Sequence, residues 1–338
     1  HNSTRSDSYI EFLNNHHFEK PGLDDSGASE FVQDLSPEEQ RQYDALLRSP
    51  VDETFLQAVG NEFDKLVPSL KKGVGCGPSG LRYEHLQLAA KEPEGRRALN
   101  KIAITIARGE WSTALSEVNL NVLDKPGGGH RPIASGEALR RVVGKAMLNV
   151  FKIRLENDML PCHQFAFTKD GCVLAFQLLR QHLTLNPSHI IAEGDESAAF
   201  QRASRPEMKR QLMRNYPECI PYFHSAYGHA AKLHYRGNTI DPSKSENGSQ
   251  QGCAWGTFLY CIAKKRKLSH LVANHPNVLF VAISDDIFMA GPPSDIARAF
   301  EDWAELTTQD HGRVNYSKCG FYSTDQNSLS NADIQALS

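Results

Sequence analysis

From residue 36 the chain alternates apolar and polar positions with a helical period. Ser36-Pro37-Glu38-Glu39 predicts a helix start, with Ser36 as N-cap, Pro37 at the first helical position and Glu39 closing a capping box. In VDETFLQAVGNEFDKLVPSL, Phe55, Val59, Phe63 and Leu66 recur at spacings of four, four and three, which predicts a second helix with an apolar stripe turned to a core. The turn GCGPSG at 75–80 leads into a third helix, LRYEHLQLAA, with His85 at its surface or packed on it. From 118 onward the pattern mixes periods. VNLNVLDKPGGGHRPIA reads as strand, glycine-rich turn and strand; 136–158 and 171–183 read as helices; HIIAEGD at 189–195 reads as a buried strand ending in Asp195. The helix-like ESAAFQRAS and helical RPEMKRQLMRNY follow, then GSQQGCAWGTFLYCIAKKRKL at 248–268, a loop feeding a helix, and a last helix, DIARAFEDWAELTTQDHG, before RVNYSKCGFYS. Residues 1–35 are polar and low in pattern, and read as a loosely docked lead-in. No internal repeat is visible.

One stretch breaks the rule that apolar runs surround apolar residues. In VLFVAISDDIFMAG at 278–291, two short apolar runs flank Ser284-Asp285-Asp286, which predicts a hairpin with two carboxylates at its tip. Charges about 4 Å apart repel by about 4 kcal/mol at an effective dielectric of about 20. Either water in a solvated turn or a divalent cation must compensate, and the stretch itself leaves both open. Asp195 supplies a third carboxylate at the end of another strand. Such a set suffices for two Mg²⁺ ions, which keep waters and substrate phosphates as their other ligands. Two ions about 4 Å apart stabilise the attacking and leaving oxygens of phosphoryl transfer.

Composition bounds the rest. With 338 residues, 40% hydrophobic and 23% charged, the chain can bury a sizeable core as one large domain or as two or three subdomains. No apolar run approaches the roughly 18 residues of a membrane span. HNSTRSDSYI has neither an initiator Met nor an apolar signal region, so the chain reads as a fragment of something longer. Seven scattered Cys without a CxxC pair argue for reduced thiols, against a zinc ribbon, and for an intracellular place in nucleus or cytoplasm. The net charge of −3 argues against a nucleic-acid partner until it is divided: residues 1–66 carry 14 acidic against 5 basic side chains, a net of −9, and the remainder carries +6. Lys71-Lys72, Arg140-Arg141 with Lys145, and Lys264-Lys265-Arg266-Lys267 each read singly as a solvated face; together they suggest an anionic partner.

The order GPSGLRYEHL, VLDKPGGGHRPIA, GDESAAFQRASR, GSQQGCAWGTFLY, ISDD and HGRVNYSKCGFY resembles the successive motifs of a reverse transcriptase, most closely those of non-LTR retrotransposons, over residues 75–325. The resemblance implies an α+β fold: a right-hand polymerase palm, an antiparallel sheet with packed helices, and fingers, preceded by a helical N-terminal region. It places an acidic helical extension at 1–70 and fingers and palm at 71–338, with fingers near 118–188, palm motifs near 189–201 and 247–325, and the thumb largely absent. Neither an endonuclease nor an RNase H segment is visible. The implied activity is that of a nucleotidyltransferase, the RNA-directed DNA polymerase core of a retroelement, adding dNTPs to a primer 3′-hydroxyl with two Mg²⁺ ions, or Mn²⁺ in their place. The implied partners are an RNA template, a DNA or RNA primer and dNTPs, with no membrane; the oligomeric state stays open.

Position by position, Asp195 and Asp285 match the two metal-binding aspartates, Asp286 the neighbouring acidic residue, and the backbone carbonyl of Glu196 would complete the second metal. Lys125 and Arg131 resemble the fingers pair that contacts the incoming triphosphate, a role that suits Arg because it clamps phosphate bidentately. Gln251 and Gly252 match the loop that positions nucleotide and template, and Lys318 the lysine near the leaving pyrophosphate, a candidate general acid. Phe200, five positions after Asp195, matches a bulky aromatic that would collide with a ribose 2′-hydroxyl, which favours DNA synthesis over RNA synthesis; it also fits a core aromatic. Ile283 and Ser284 stand where the family carries Phe or Tyr and Ala, and Cys253-Ala254-Trp255 where it carries Asp-Pro-Leu. These departures leave the metal ligands untouched but support an alternative, a decayed or domesticated fold that only binds RNA or protein.

Overall fold

The capping box at Ser36 closes: Ser36 Oγ accepts the Glu39 N–H at 3.2 Å and Glu39 Oε2 accepts the Ser36 N–H at 2.8 Å, opening helix α1 (Pro37–Arg48). The computed structural model describes residues 34–125, 130–240 and 247–323; the lead-in expected at 1–35 lies almost wholly outside them, as does the glycine turn at 126–129. Helix α2 (Glu53–Leu66) is capped by Asp52 and buries Leu56, Val59, Gly60 and Phe63, one step round from the expected stripe. The shift has a cause in Gly60. Its bare Cα lets α4 (Pro93–Ala107) come close enough for Asn100 Nδ2 to reach the Gly60 carbonyl at 3.0 Å, after α3 (Tyr83–Ala89) has turned the chain.

Strands β1 (Val118–Asp124) and β2 (His130–Gly136) form the expected hairpin. The helix expected at 136–158 is two helices, α5 (Ala138–Val150) and α6 (Lys152–Met159), parted at Phe151. Then come α7 (Gly171–Leu185), β3 (Ile190–Gly194) and α8 (Ala199–Arg202). ESAAFQRAS is helical for only those four residues, because the Ser197 N–H is drawn to the Arg313 carbonyl at 2.7 Å and Ala198 sits at φ +52°. Helices α9 (Arg205–Asn215) and α10 (Ile220–Tyr227) lead to strands β4 (Leu233–Tyr235) and β5 (Asn238–Ile240), joined by Arg236-Gly237 with φ of +49° and +83°, as a two-residue hairpin turn requires. The chain continues as α11 (Gly256–Asn274), β6 (Leu279–Ile283), β7 (Asp286–Gly291), α12 (Pro293–Gln309) and β8 (Gly320–Ser323).

These elements gather into two units, each with its own mixed layers of helix and mainly antiparallel sheet. The first comprises Asp34–Phe151 with Arg205–Gly256 and holds a sheet of order β2-β1-β4-β5, in which only β1 and β4 run parallel. Val118, Leu120, Ala134, Leu233 and Tyr235 form its core on one face. The second comprises Lys152–Ser204 with residues 257–323 and holds an antiparallel sheet of order β6-β7-β3-β8. One face packs Val281 and Ala290 against Ala175 and Leu179 of α7. On the other face α12 lies against β3 and β7, and Gly194 marks the closest approach. A Cβ there would stand 2.8 Å from both Ile287 Cγ2 and Trp303 Cη2. Gly194→Ala is therefore expected to destabilise the protein by about 1–3 kcal/mol, read as a lower urea midpoint at unchanged slope.

Candidate active site

The β6–β7 hairpin is tighter than the sequence pattern suggests. Ile283 pairs with Asp286, so the turn is Ser284-Asp285 alone and Asp286 is the first residue of β7. Ser284 adopts φ +58°, a strained conformation for a residue other than glycine. Gln164, fully buried, holds it there: its Oε1 accepts the Ser284 N–H at 2.8 Å and its Nε2 donates to the Ser284 carbonyl at 3.1 Å.

Strand pairing brings Asp195 to this tip. Gly194 pairs with Ile287, so the register continued by one residue sets Asp195 across from Asp286. Because side chains alternate along strands, Glu193, Asp195 and Asp286 share the face of Phe288 and Ala290. The Asp286 carboxyl is held above its ordinary range, first by loss of water around it and then by the negative charges of Asp285, Glu193 and Asp195. Asp285, in the turn, is felt also by Tyr260 and Cys261 on α11. Among the described residues no Lys, Arg or His pairs with Asp195, Asp285 or Asp286. Asp195 is anchored by neutral groups: Asn315 Nδ2 donates to its Oδ1 at 2.8 Å, the Asn315 N–H to its carbonyl at 2.8 Å, and its own N–H reaches Cys319 Sγ at 3.4 Å. Lys318 is exposed in the same turn, its N–H on the Asn315 carbonyl at 2.9 Å. Phe200 is 9% exposed and stacks on Tyr260 at 5.0 Å, which makes it a core aromatic.

Three residues of this site carry little signal in the sequence. Glu193 could have been found from period two, since it lies two residues before Asp195 on one strand. Asn315 and Gln164 act from 120 residues away and have no local signature.

The basic run on α11 is the clearest correction. Lys264 and Lys267 are 2% and 4% exposed, turned inward to acidic partners and away from any outside anion. Lys264 Nζ lies 2.5 Å from Asp310 Oδ2 and 3.2 Å from Glu196 Oε2; Lys267 Nζ lies 2.7 Å from Glu196 Oε1 and 2.8 Å from Thr307 Oγ1. Lys265 pairs with Asp158. The helix faces protein on two sides, so its lysines need internal partners. Burial alone would raise the Glu196 carboxyl, yet Lys264 and Lys267 hold it at about 2. Burial keeps Lys267 below its ordinary value, against the pull of Glu196, whereas Asp310 and Glu196 push Lys264 up. A cavity of about 20 Å³, room for a single water, is lined by Glu196, Tyr260, Lys264 and Asp285.

In the first unit, Lys125 and Arg131 sit at the loop end of the β1–β2 hairpin, both exposed, and among the described residues neither forms an ion pair. Gln251 and Gly252 cover the edge of β2: the Gln251 carbonyl accepts the Ala134 N–H at 2.6 Å, and a Cβ on Gly252, at φ +99°, would stand 2.8 Å from the Ala134 oxygen. Arg140 is 1% exposed and donates to the Ser116 carbonyl at 2.9 Å and to Gln250 Oε1 at 2.7 Å. It too belongs to the interior, leaving Lys71, Lys72 and Lys145 as exposed charges of the other two clusters.

Hard carboxylate oxygens without cation partners have the donor chemistry of Mg²⁺. Among the described residues no group of three or more His, Cys, Asp or Glu side chains forms a ready-made metal cage. The set thus fits an ion that takes most of its ligands from waters and phosphates and not a fully protein-ligated one. All seven cysteines are free, and among the described residues no helix is long and apolar enough to cross a membrane.

No protein-family model and no curated protein matches the chain. Among solved structures, telomerase from Candida albicans, determined in complex with a TWJ fragment of telomeric RNA, aligns over 63% of this chain and 43% of its own, at 12% identity and a TM-score of 0.47. A likeness of that size fixes neither fold nor activity.

The Glu196 carboxyl gives the second unit an acid limb. Its folded value of about 2 lies below the ordinary 4.5, so its contribution is complete above that range and fades as pH falls from about 5 to 2. The amount is of order 3 kcal/mol. Glu196→Gln is expected to cost about 3–5 kcal/mol at pH 7, because two lysines are left buried, and to cost much less at pH 2–3. Urea melts of both proteins across that range check it.

Proposed function

We propose that this chain is the RNA-directed DNA polymerase core of a retroelement, a right-hand polymerase palm with fingers. The observation that carries the reading is the meeting of Asp195 with the Asp285-Asp286 hairpin, three carboxylates without cation partners among the described residues, in a chain whose motifs follow the reverse-transcriptase order. Asp195, Asp285 and Asp286 hold Mg²⁺, with the Glu196 carbonyl as a further oxygen. Bound there, the ions supply charge neutralisation at the reacting phosphate. Lys125 and Arg131, uncommitted and exposed, grip the triphosphate of the incoming dNTP. Gln251 and Gly252, held on β2 through Ala134, position nucleotide and template. Lys318 gives a proton to the leaving pyrophosphate. The template is RNA, and the primer a DNA or RNA 3′-end.

A second reading, a fold kept for binding RNA or protein, is the one to which Ile283, Ser284 and Cys253-Ala254-Trp255 point, where the motifs depart from the reverse-transcriptase pattern. Extension of a DNA primer on an RNA template with Mg²⁺ separates the two. The native chain is expected to incorporate dNTPs, and Asp285→Asn to lose about a thousandfold in rate, the several kcal/mol of charge stabilisation that a metal supplies. Equal extension by the two proteins, or none by either when both are folded, overturns the reading. Phe200→Ala is expected to lower the preference for dNTPs over NTPs by at least about tenfold and to cost about 3–5 kcal/mol of stability through its lost packing on Tyr260; competition assays and melts read the two effects separately.

A further inference from the structure

We infer that Asn315 is the positioning residue of the carboxylate site: it aims Asp195 at a bound divalent cation and carries Lys318 on the same turn. The inference rests on the polymerase reading. Five bonds define the role. A carboxylate only accepts, so the Asn315 amide must present its nitrogen to Asp195 Oδ1, 2.8 Å away. Its oxygen is fixed in the opposite sense by the Ser317 hydroxyl, which donates to Asn315 Oδ1 at 2.8 Å. The amide therefore cannot flip without losing both bonds. In the main chain, the Asn315 N–H holds the Asp195 carbonyl at 2.8 Å, and the Asn315 carbonyl accepts from Lys318 at 2.9 Å and from Cys319 at 3.2 Å.

The consequence is one rigid link between the strand-end aspartate and the lysine turn. Asp195 Oδ2 has no bond among the described residues, so one oxygen is pinned and the other is left for an ion. A neutral donor does this without spending the negative charge, whereas a Lys or Arg at the same place would compete with the cation. Groups that orient a metal ligand in this way typically matter by about 10–100-fold in metal affinity or activity. The neighbouring backbone reinforces the link, since Glu196 bridges Val314 and Ser197 bonds Arg313.

The test uses Mn²⁺ as the probe, its binding to the whole chain followed by electron paramagnetic resonance, with Asp195→Asn as the reference for loss. Asn315→Leu, which keeps the branched shape and removes the donor, is expected to weaken Mn²⁺ binding about 10–100-fold. Ser317→Ala, at an exposed position, frees the amide to flip and is expected to weaken it about threefold. A folded Asn315→Leu protein that binds Mn²⁺ like the native chain overturns the inference. Should Asn315→Leu fail to fold, native affinity in Ser317→Ala overturns it. Primer extension separates the two levels: a native chain that neither binds Mn²⁺ nor extends a primer sinks the polymerase reading and this inference together, whereas an extending native chain with an unaffected Asn315→Leu protein sinks the inference alone.

Discussion

The buried pairing of Glu196 with Lys264 and Lys267 is the constraint on which the second unit depends. It joins the end of β3 to α11 and, through Asp310 and Thr307, to the end of α12. Two lysines and two carboxylates balance in charge, and removing any one leaves an uncompensated ion in a site nearly closed to water. Glu196 follows Asp195 directly, so the internal network fixes the backbone from which the outward carboxylate projects. The same residues explain an apparent waste of positive charge near an acidic site: the lysines are consumed inside, and among the described residues Asp195, Asp285 and Asp286 remain unneutralised.

Each unit positions its polar residues with backbone devices. In the second, Gln164 holds the strained Ser284 turn and Asn315 holds Asp195, both through neutral amides. In the first, Gly252 lets the Gln251 loop cap the edge of β2, which also blunts an edge strand that would otherwise be open to pairing. Neutral anchors preserve the charge of the groups they hold, and at Asp195 this leaves a carboxylate available for a ligand of opposite sign.

Much of this was legible in the sequence where one local rule governs. The Ser36 capping box, the β1–β2 hairpin, the strand ending at Asp195 and the acidic hairpin all follow from caps, period and turn chemistry. The misses share a different cause. The α2 seam moved because Gly60, which adds nothing to an apolar stripe, is buried against Asn100 of α4. The ESAAFQRAS helix was cut short by a bond to Arg313, and the run Lys264-Lys265-Arg266-Lys267 was read as outward because its acidic partners lie 46–107 residues away along the chain. The β4–β5 hairpin went unread because its strands are three residues each, too short for a period to show. Long-range partners set these positions, and no window of sequence contains them.

The departures from the reverse-transcriptase pattern become informative in this light. Trp255, at one of those departures, is fully buried, tilts against Tyr222 at 4.4 Å, and places its indole N–H on the Gly144 carbonyl at 2.9 Å. A Cβ on Gly144 would stand 2.8 Å from the Tyr222 hydroxyl and 3.2 Å from the indole, so the large ring and the bare glycine require each other. At position 284 the positive φ is as costly for Ala as for Ser, and the buried Gln164 amide satisfies both backbone polar groups of the turn whichever of the two stands there. The Trp255 ring is thus accommodated by Tyr222 and by Gly144, a partner 111 residues away along the chain that no window of sequence around Trp255 contains.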